Sequence, residues 1–277
     1  MTDRFAADWL ALREPLDLAA RSVALARRLA DRLPRRPRLM DLGAGTGSMF
    51  RFLAPIVGRG QDWILVDADA TLLDDAFGRT AAWARRHHFA ATVEGEELLV
   101  STPQGLWRMR AVVCNLTTLR GSCCDDVDAV VCSALLDLVS ASWLSRLSGA
   151  LAVPLLACLT VDGRDVWRPH HPSDALVLGA FRRDMRRDKG FGTALGTSAS
   201  SAFAATASAP SDWRVPRTAL GMQRALIDGT AGAARNARPS QAAAITAWQE
   251  ARLRQALRGR LAITIGHRDI LALPPEG

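Results

Sequence analysis

The sequence predicts an α/β fold, a doubly wound sheet with helices on both faces, and three stretches carry that prediction. Arg38 to Leu42 reads as a short buried strand with Asp41 near its end. Gly43, Gly45 and Gly47 follow at alternate positions, and Met49, Phe50, Leu53 and Ile56-Val57 then recur at helical spacing. Strand, glycine turn and helix form the first unit of a nucleotide-binding sheet: glycine lets backbone approach a ligand, and the helix start offers free N–H groups. Trp63 to Asp67 is a second buried strand, whose terminal acid stands 24 residues after Gly43, placed to accept hydrogen bonds from ribose hydroxyls. Asp128 to Cys132 is another buried strand and runs into Ser133-Ala134-Leu135-Leu136-Asp137.

The chain of 277 residues has room for one α/β domain with additions, or for one and a half domains. With 49% apolar residues it supports a large core and excludes wholesale disorder. Asp3, Arg4 and Asp8 interrupt the start, and no apolar run reaches membrane-spanning length, so a cytoplasmic protein without a membrane partner is expected. Five cysteines without a Cys-x-x-Cys suit reduced, buried thiols rather than disulfides or zinc. The net charge of +7 is carried almost wholly by arginine, Lys189 being the single lysine. Such a balance suits nucleic acid or an anionic small substrate, but the arginines are scattered along helices without interleaved aromatics, as on a solvated surface. The chain has no tyrosine, which removes the Tyr-x-x-x-Lys pair that short-chain dehydrogenases need.

Taken in order, residues 3–33 read as one or two helices. Phe5, Trp9 and Leu10 form one apolar face, Pro15 starts a second helix, and Leu18, Val23, Leu25, Leu29 and Leu33 continue it. Thr71 to Arg86 is a helix after the second strand, which Asp69 could cap. Glu97 to Leu116, with a Pro103-Gln104-Gly105 turn, reads as a hairpin or an extended third strand. A helix over 142–151 leads to a fifth strand at 154–161, and helices are expected at 174–187, 197–207, 218–233 and 240–258. Ser211 to Val215 reads as a sixth strand, and Arg260 to Leu273 as a terminal hairpin or a long last strand. Between them, Asp188-Lys189-Gly190-Phe191-Gly192 forms a tight polar loop, with a plain helix-to-helix turn as its structural alternative. His170-His171 lacks a third ligand at suitable spacing, so no metal is expected.

Asp41-x-Gly43-x-Gly45-x-Gly47 resembles motif I of the class I S-adenosylmethionine (SAM)-dependent methyltransferases, whereas the NAD fingerprint would need glycine at Ser48. The Ser133-Ala134-Leu135-x-Asp137-Leu138 segment after strand four resembles the small-molecule members, and the Asp-Lys-Gly-Phe-Gly loop resembles a bacterial group of them. The resemblance implies a seven-stranded Rossmann-like sheet with an antiparallel last strand. It also implies an N-terminal helical cap over 1–34 and a SAM-binding domain over 35–277. That domain would hold a helical lid at about 168–210 and further helices over 218–258.

The cofactor would then be SAM, with S-adenosylhomocysteine as product. Its site would comprise Asp41, Gly43, Gly45, Gly47, Asp67, Ala68, Asn115, Leu116, Ser133 and Ala134. Asp137 would be a general base or a substrate anchor, or else a helix-start acid favoured by the dipole. Arg13, Arg21, His170 and Lys189 would meet a small acidic or heterocyclic acceptor in a monomer or homodimer. The Asn/Asp-Pro-Pro-aromatic motif of nucleic-acid amino-methyltransferases is missing. An RNA or protein methyltransferase is the alternative, and an NAD-dependent oxidoreductase ranks below it.

Overall fold

The computed structural model describes residues 7–118, 126–202 and 205–274. Five parallel strands form the centre of the sheet: β1 (Arg38–Leu42), β2 (Gln61–Asp67), β5 (Gly105–Val113), β6 (Ala129–Ser133) and β7 (Leu155–Arg168). The crossover helices include α3 (Ser48–Val57), α4 (Ala70–Arg86) and α5 (Ala141–Ala150). β3 (Ala90–Glu94) and β4 (Glu97–Thr102) add an antiparallel hairpin beside β5. At the other end β10 (Ala262–Ala272) runs antiparallel to β7, and β8 (Ala207–Pro210) and β9 (Trp213–Val215) run antiparallel to β10. The order is β3-β4-β5-β2-β1-β6-β7-β10-β8, with β9 also on β10.

Ten strands therefore stand where seven were expected. Two are the β3–β4 hairpin, and one arises because the sixth strand is split. At the split the Asp212 carboxylate takes the His267 N–H at 3.3 Å, so a side chain replaces a ladder bond between β8 and β9.

Alternation along β1 builds two cores. Leu39 faces a layer that holds Leu29, Phe50, Leu53 and Trp83, from α2 (Val23–Ala30), α3 and α4. Met40 and Leu42 face the opposite layer, where α5 contributes Trp143, Leu144 and Leu147. The sheet is covered on both faces, as a doubly wound fold requires.

A third core lies where β7 and β10 outrun the central strands. Trp167, Val215 and Ile263 pack there against α6 (Asp174–Met185), α8 (Leu220–Ala237) and α9 (Ala242–Leu257). The fifth strand thus continues to Arg168, past the end at Val161 that the sequence suggested. The long β10 supplies it with a partner, Ile263 standing opposite Trp167. Gly266 allows the crowded passage, because a Cβ there would lie 2.4 Å from Asp162 Oδ1.

Three local expectations change. Pro15 lies inside α1 (Ala7–Ala20) and does not open a new helix. The break comes at Ser22, whose hydroxyl caps α2 by accepting from the Leu25 N–H at 3.3 Å, while its own N–H donates to Asp269 Oδ2 at 2.6 Å. Leu18 and Val23 face outward. The helix expected over 197–207 is shorter: α7 spans Ala199–Ala202, and β8 begins at Ala207. Phe5 lies outside the described residues.

Candidate functional site

From β1 the chain runs outward to β2 and β5 on one side, and β6 and β7 build the other side. The carboxyl ends of β1 and β6 therefore flank a topological switch point, the place where an open α/β sheet leaves a crevice. A cavity of about 350 Å³ opens there, with an annex of about 50 Å³ running under the glycine turn.

The turn has φ values of +68°, +51° and +78° at Gly43, Gly45 and Gly47, a backbone that side chains disfavour. Gly43 and Gly45 line the cavity. A Cβ on Gly43 would touch Leu135 and Leu116 across it, at 3.5 and 4.0 Å. Gly47 lies outside the cavity: a Cβ there would meet Ala76, Arg51 and Leu65 within 3.4 Å, so its work is close packing of α3.

Asp67, Ala68 and Asp69 form the wall after β2. Asp67 Oδ2 accepts the Gly45 N–H at 2.8 Å, and Oδ1 accepts the Asp69 N–H at 3.0 Å. A carboxylate has about four acceptor positions, so each oxygen keeps capacity for a ligand hydroxyl.

After β5, Asn115 folds its side-chain carbonyl onto the Thr117 N–H at 3.0 Å. Asn115 also lines the cavity. Leu116 gives its carbonyl to the Trp143 indole at 2.7 Å. Ser133 and Ala134 line the opposite side, and Ala134 is held at a φ of +52°. Non-glycine residues reach that conformation only where surrounding structure enforces it, commonly at functional sites.

Asp41 lines the annex, and neither carboxyl oxygen has a partner. Burial pushes its pKa up to about 8, with Arg21 and Arg51 opposing the rise and Asp67 adding to it. Its carboxyl is thus largely protonated at neutral pH.

Helix α1 closes the cavity from above through Leu10 and Arg13. Arg13 is held by Asp17 at 3.0 Å and stacks over Trp213 with its guanidinium carbon 4.8 Å from the ring centre. Arg21, by contrast, is buried behind the turn, where it donates to Ser48 Oγ and Ser133 Oγ, each at 2.9 Å. It braces the site from behind and does not line the cavity.

Lys189, Gly190 and Phe191 bring the polar loop to the cavity edge. Asp188 Oδ1 ties that loop by accepting from the Gly190 and Gly192 N–H groups at 2.7 and 2.9 Å. Phe191 meets Trp143 edge-to-face at 5.6 Å.

Two further expected residues stand away from the cavity. Asp137 is buried outside the cavity lining, and burial raises its pKa while Lys189 and Arg13 oppose the rise. His170 is exposed beyond the outer end of β7, beside the helical module, because β7 is longer than expected. The sequence reading also missed participants. Leu10 sits in an apolar face that suggested core alone, and Arg51 of α3 was not singled out. Its side chain is 2% exposed and donates to Glu14, to the Thr46 carbonyl and to Thr80 Oγ1. Nothing in the local spacing marks it.

No family model and no curated protein matches the chain. Solved structures do resemble it. A protein of Anaeromyxobacter dehalogenans named as a type II methyltransferase is 16% identical, with 92% of this chain and 97% of that one covered and a TM-score of 0.49. A SAM-dependent methyltransferase of Geobacter sulfurreducens, solved with S-adenosyl-L-homocysteine, is 15% identical over 98% and 99%, with a TM-score of 0.44. The geranyl diphosphate C-methyltransferase of Streptomyces coelicolor A3(2) is 14% identical over 89% and 79%, with a TM-score of 0.37. All three are remote. Among the described residues no group of three or more His, Cys, Asp or Glu could hold a metal, and no helix is long and apolar enough to cross a membrane.

Proposed function

We propose that this chain is a SAM-dependent methyltransferase acting on a small acceptor. One observation carries the reading: the acid ending β2 and the glycine turn after β1 are joined by the Gly45 N–H to Asp67 hydrogen bond, beside an annex holding the unpartnered Asp41 carboxyl. A ribose diol suits Asp67, a base edge suits the Asn115 amide and the Leu116 N–H, and an amino-acid tail suits the annex. There Asp41, once deprotonated, would pair with an ammonium group. The antiparallel β10 between β7 and the β8–β9 edge adds to this, since an all-parallel dinucleotide sheet of order 3-2-1-4-5-6 has no such strand.

SAM supplies a methyl group on a sulfonium, open to in-line displacement by an electron-rich acceptor atom. The chain's share is positioning and exclusion of water, which by themselves can supply several kcal/mol of a barrier. Leu10, Leu135, Leu138 and Phe191 give the apolar walls, and Arg13 and Lys189 give two cations suited to an acidic group or a polar heterocycle. Asp137 has no proton-transfer role in this reading, because it lies outside the lining. Cover by α1 and the 188–192 loop favours a small acceptor over an RNA or a protein.

Calorimetric titration with SAM, S-adenosylhomocysteine and NAD tests the assignment. Micromolar binding of both adenosyl ligands with none of NAD is the expected result. Binding of NAD alone would overturn it.

A further inference from the structure

Arg51 makes more contacts than any surface role requires. Nε and Nη2 hold the two oxygens of Glu14, both at 2.7 Å, in a bidentate pair. Nη1 holds the carbonyl of Thr46, inside the glycine turn, at 2.7 Å, and reaches Thr80 Oγ1 on α4 at 3.1 Å. Neither Glu14 nor Arg51 lines the cavity, so the pair touches no ligand directly. Glu14 nevertheless belongs to α1, next to Arg13 and one turn beyond Leu10, the two α1 residues in the cavity wall. Leu10 also rests on the turn itself, its Cδ1 standing 3.1 Å from where a Cβ on Gly45 would be.

We propose that Glu14 and Arg51 form a latch that joins the docking of α1 to the shape of the glycine turn, making both residues positioning residues for the cavity's ligand. The guanidinium has one face for the cap helix and one for the turn carbonyl. Its planar fork holds both at fixed geometry, which an ammonium could not do. Without Glu14 the buried Arg51 charge loses its partner, a situation buried ions tolerate poorly, and α1 loses a bidentate tie to α3. A ligand between α1 and the turn touches both halves of this arrangement. Binding and docking of α1 then reinforce one another, and the reinforcement is reciprocal. The ligand's identity rests on the cofactor reading above; the latch does not.

Amide hydrogen exchange over residues 7–20, with and without S-adenosylhomocysteine, tests this in wild type, in Glu14→Ala and in a Glu14→Leu/Arg51→Met double variant. The double variant leaves no orphaned charge, which guards against simple unfolding. In ligand-free protein both variants exchange faster over α1, while β1 and β6 amides stay as protected as in wild type. In wild type the ligand slows exchange over α1; in both variants it does not, and its Kd rises about tenfold, the scale of common coupling energies. Ligand-free exchange over α1 equal to wild type, or unchanged ligand affinity in both variants, would overturn the latch. If wild type does not bind the ligand, the cofactor reading falls instead, and ligand-free exchange over α1 alone decides the latch.

Discussion

The N–H of Gly45 donates to Asp67 Oδ2 at 2.8 Å, so the turn after β1 is held by the acid at the end of β2. The two parts of the candidate site are thus directly joined. The other carboxylate oxygen is fixed in turn by the Asp69 N–H, which aims the remaining lone pairs.

Asp67→Ala should therefore weaken S-adenosylhomocysteine binding by at least about a hundredfold, since two hydrogen bonds to a charged acceptor are worth roughly 1.5–3 kcal/mol each. It also orphans two backbone N–H groups, at a stability cost of up to about 1–3 kcal/mol each. Calorimetry and a denaturant melt separate the two effects. An affinity within threefold of wild type would mean that no ligand diol sits on Asp67.

Gly45 and Gly47 look alike in the sequence but have different surroundings. Gly45→Ala places a Cβ against the Leu10 side chain at the cavity wall, whereas Gly47→Ala places it against Ala76 and Leu65 in the core. Both carry the cost of a left-handed backbone, about 1–2 kcal/mol. The Gly45 variant should lose ligand affinity out of proportion to stability, and the Gly47 variant the reverse. Parallel melts and titrations of the two proteins check the contrast.

How far the sequence disclosed this site follows from how local each signal is. The turn at 43–47, Asp67 and Asn115-Leu116 lie at strand ends; apolar runs mark the strands directly, and glycines mark the end of the first. The cations do not obey such a rule. Arg13 and Arg51 lie on helices and Arg21 just past the end of α1, and only tertiary contacts decide that Arg13 faces the cavity, Arg21 braces it from behind and Arg51 is buried. His170 was misplaced because the length of β7 depends on β10, a partner almost a hundred residues away in the chain. The split sixth strand was hidden for the same reason, since the interruption comes from Asp212 reaching the His267 N–H across the sheet.

The buried carboxyl of Asp41 sets a pH dependence of known sign. Its folded pKa of about 8 lies above the ordinary carboxylate value, so between those two pH values the native state holds a proton that the unfolded chain has released. Stability then falls as pH rises, by about 1.4 kcal/mol per pH unit at most from this group. His267 acts in the other direction: burial first, and Arg13 next, lower its pKa to about 4, so its contribution increases from about pH 4 to 6.5 and is constant above that. Between pH 6.5 and 8 the Asp41 slope is therefore free of the His267 one. Urea melts of wild type and Asp41→Asn across that window should show a shallower decline in the variant; identical slopes would mean that Asp41 is ionised in the folded protein.

The helical module is held by a different buried charge. Arg252, fully buried on α9, pairs with Asp174 at the start of α6 and donates to the Pro169 carbonyl at 2.6 Å, while the Trp248 indole donates to Asp174 at 2.7 Å. Removing one partner of such a pair leaves the other charge without its counter-ion, at a cost of about 3–5 kcal/mol. Arg252→Met should lower stability by that amount. Arg252→Met with Asp174→Asn should recover part of it, because the amide is neutral and can still accept from Trp248. Neither change touches the cavity lining, so ligand affinity of the folded fraction should stay at the wild-type value. Denaturant melts of the three proteins, with calorimetry below the transition, read both quantities. A single variant within 1 kcal/mol of wild type, by the usual scale of surface substitutions, would show that the pair does not hold α6 to α9.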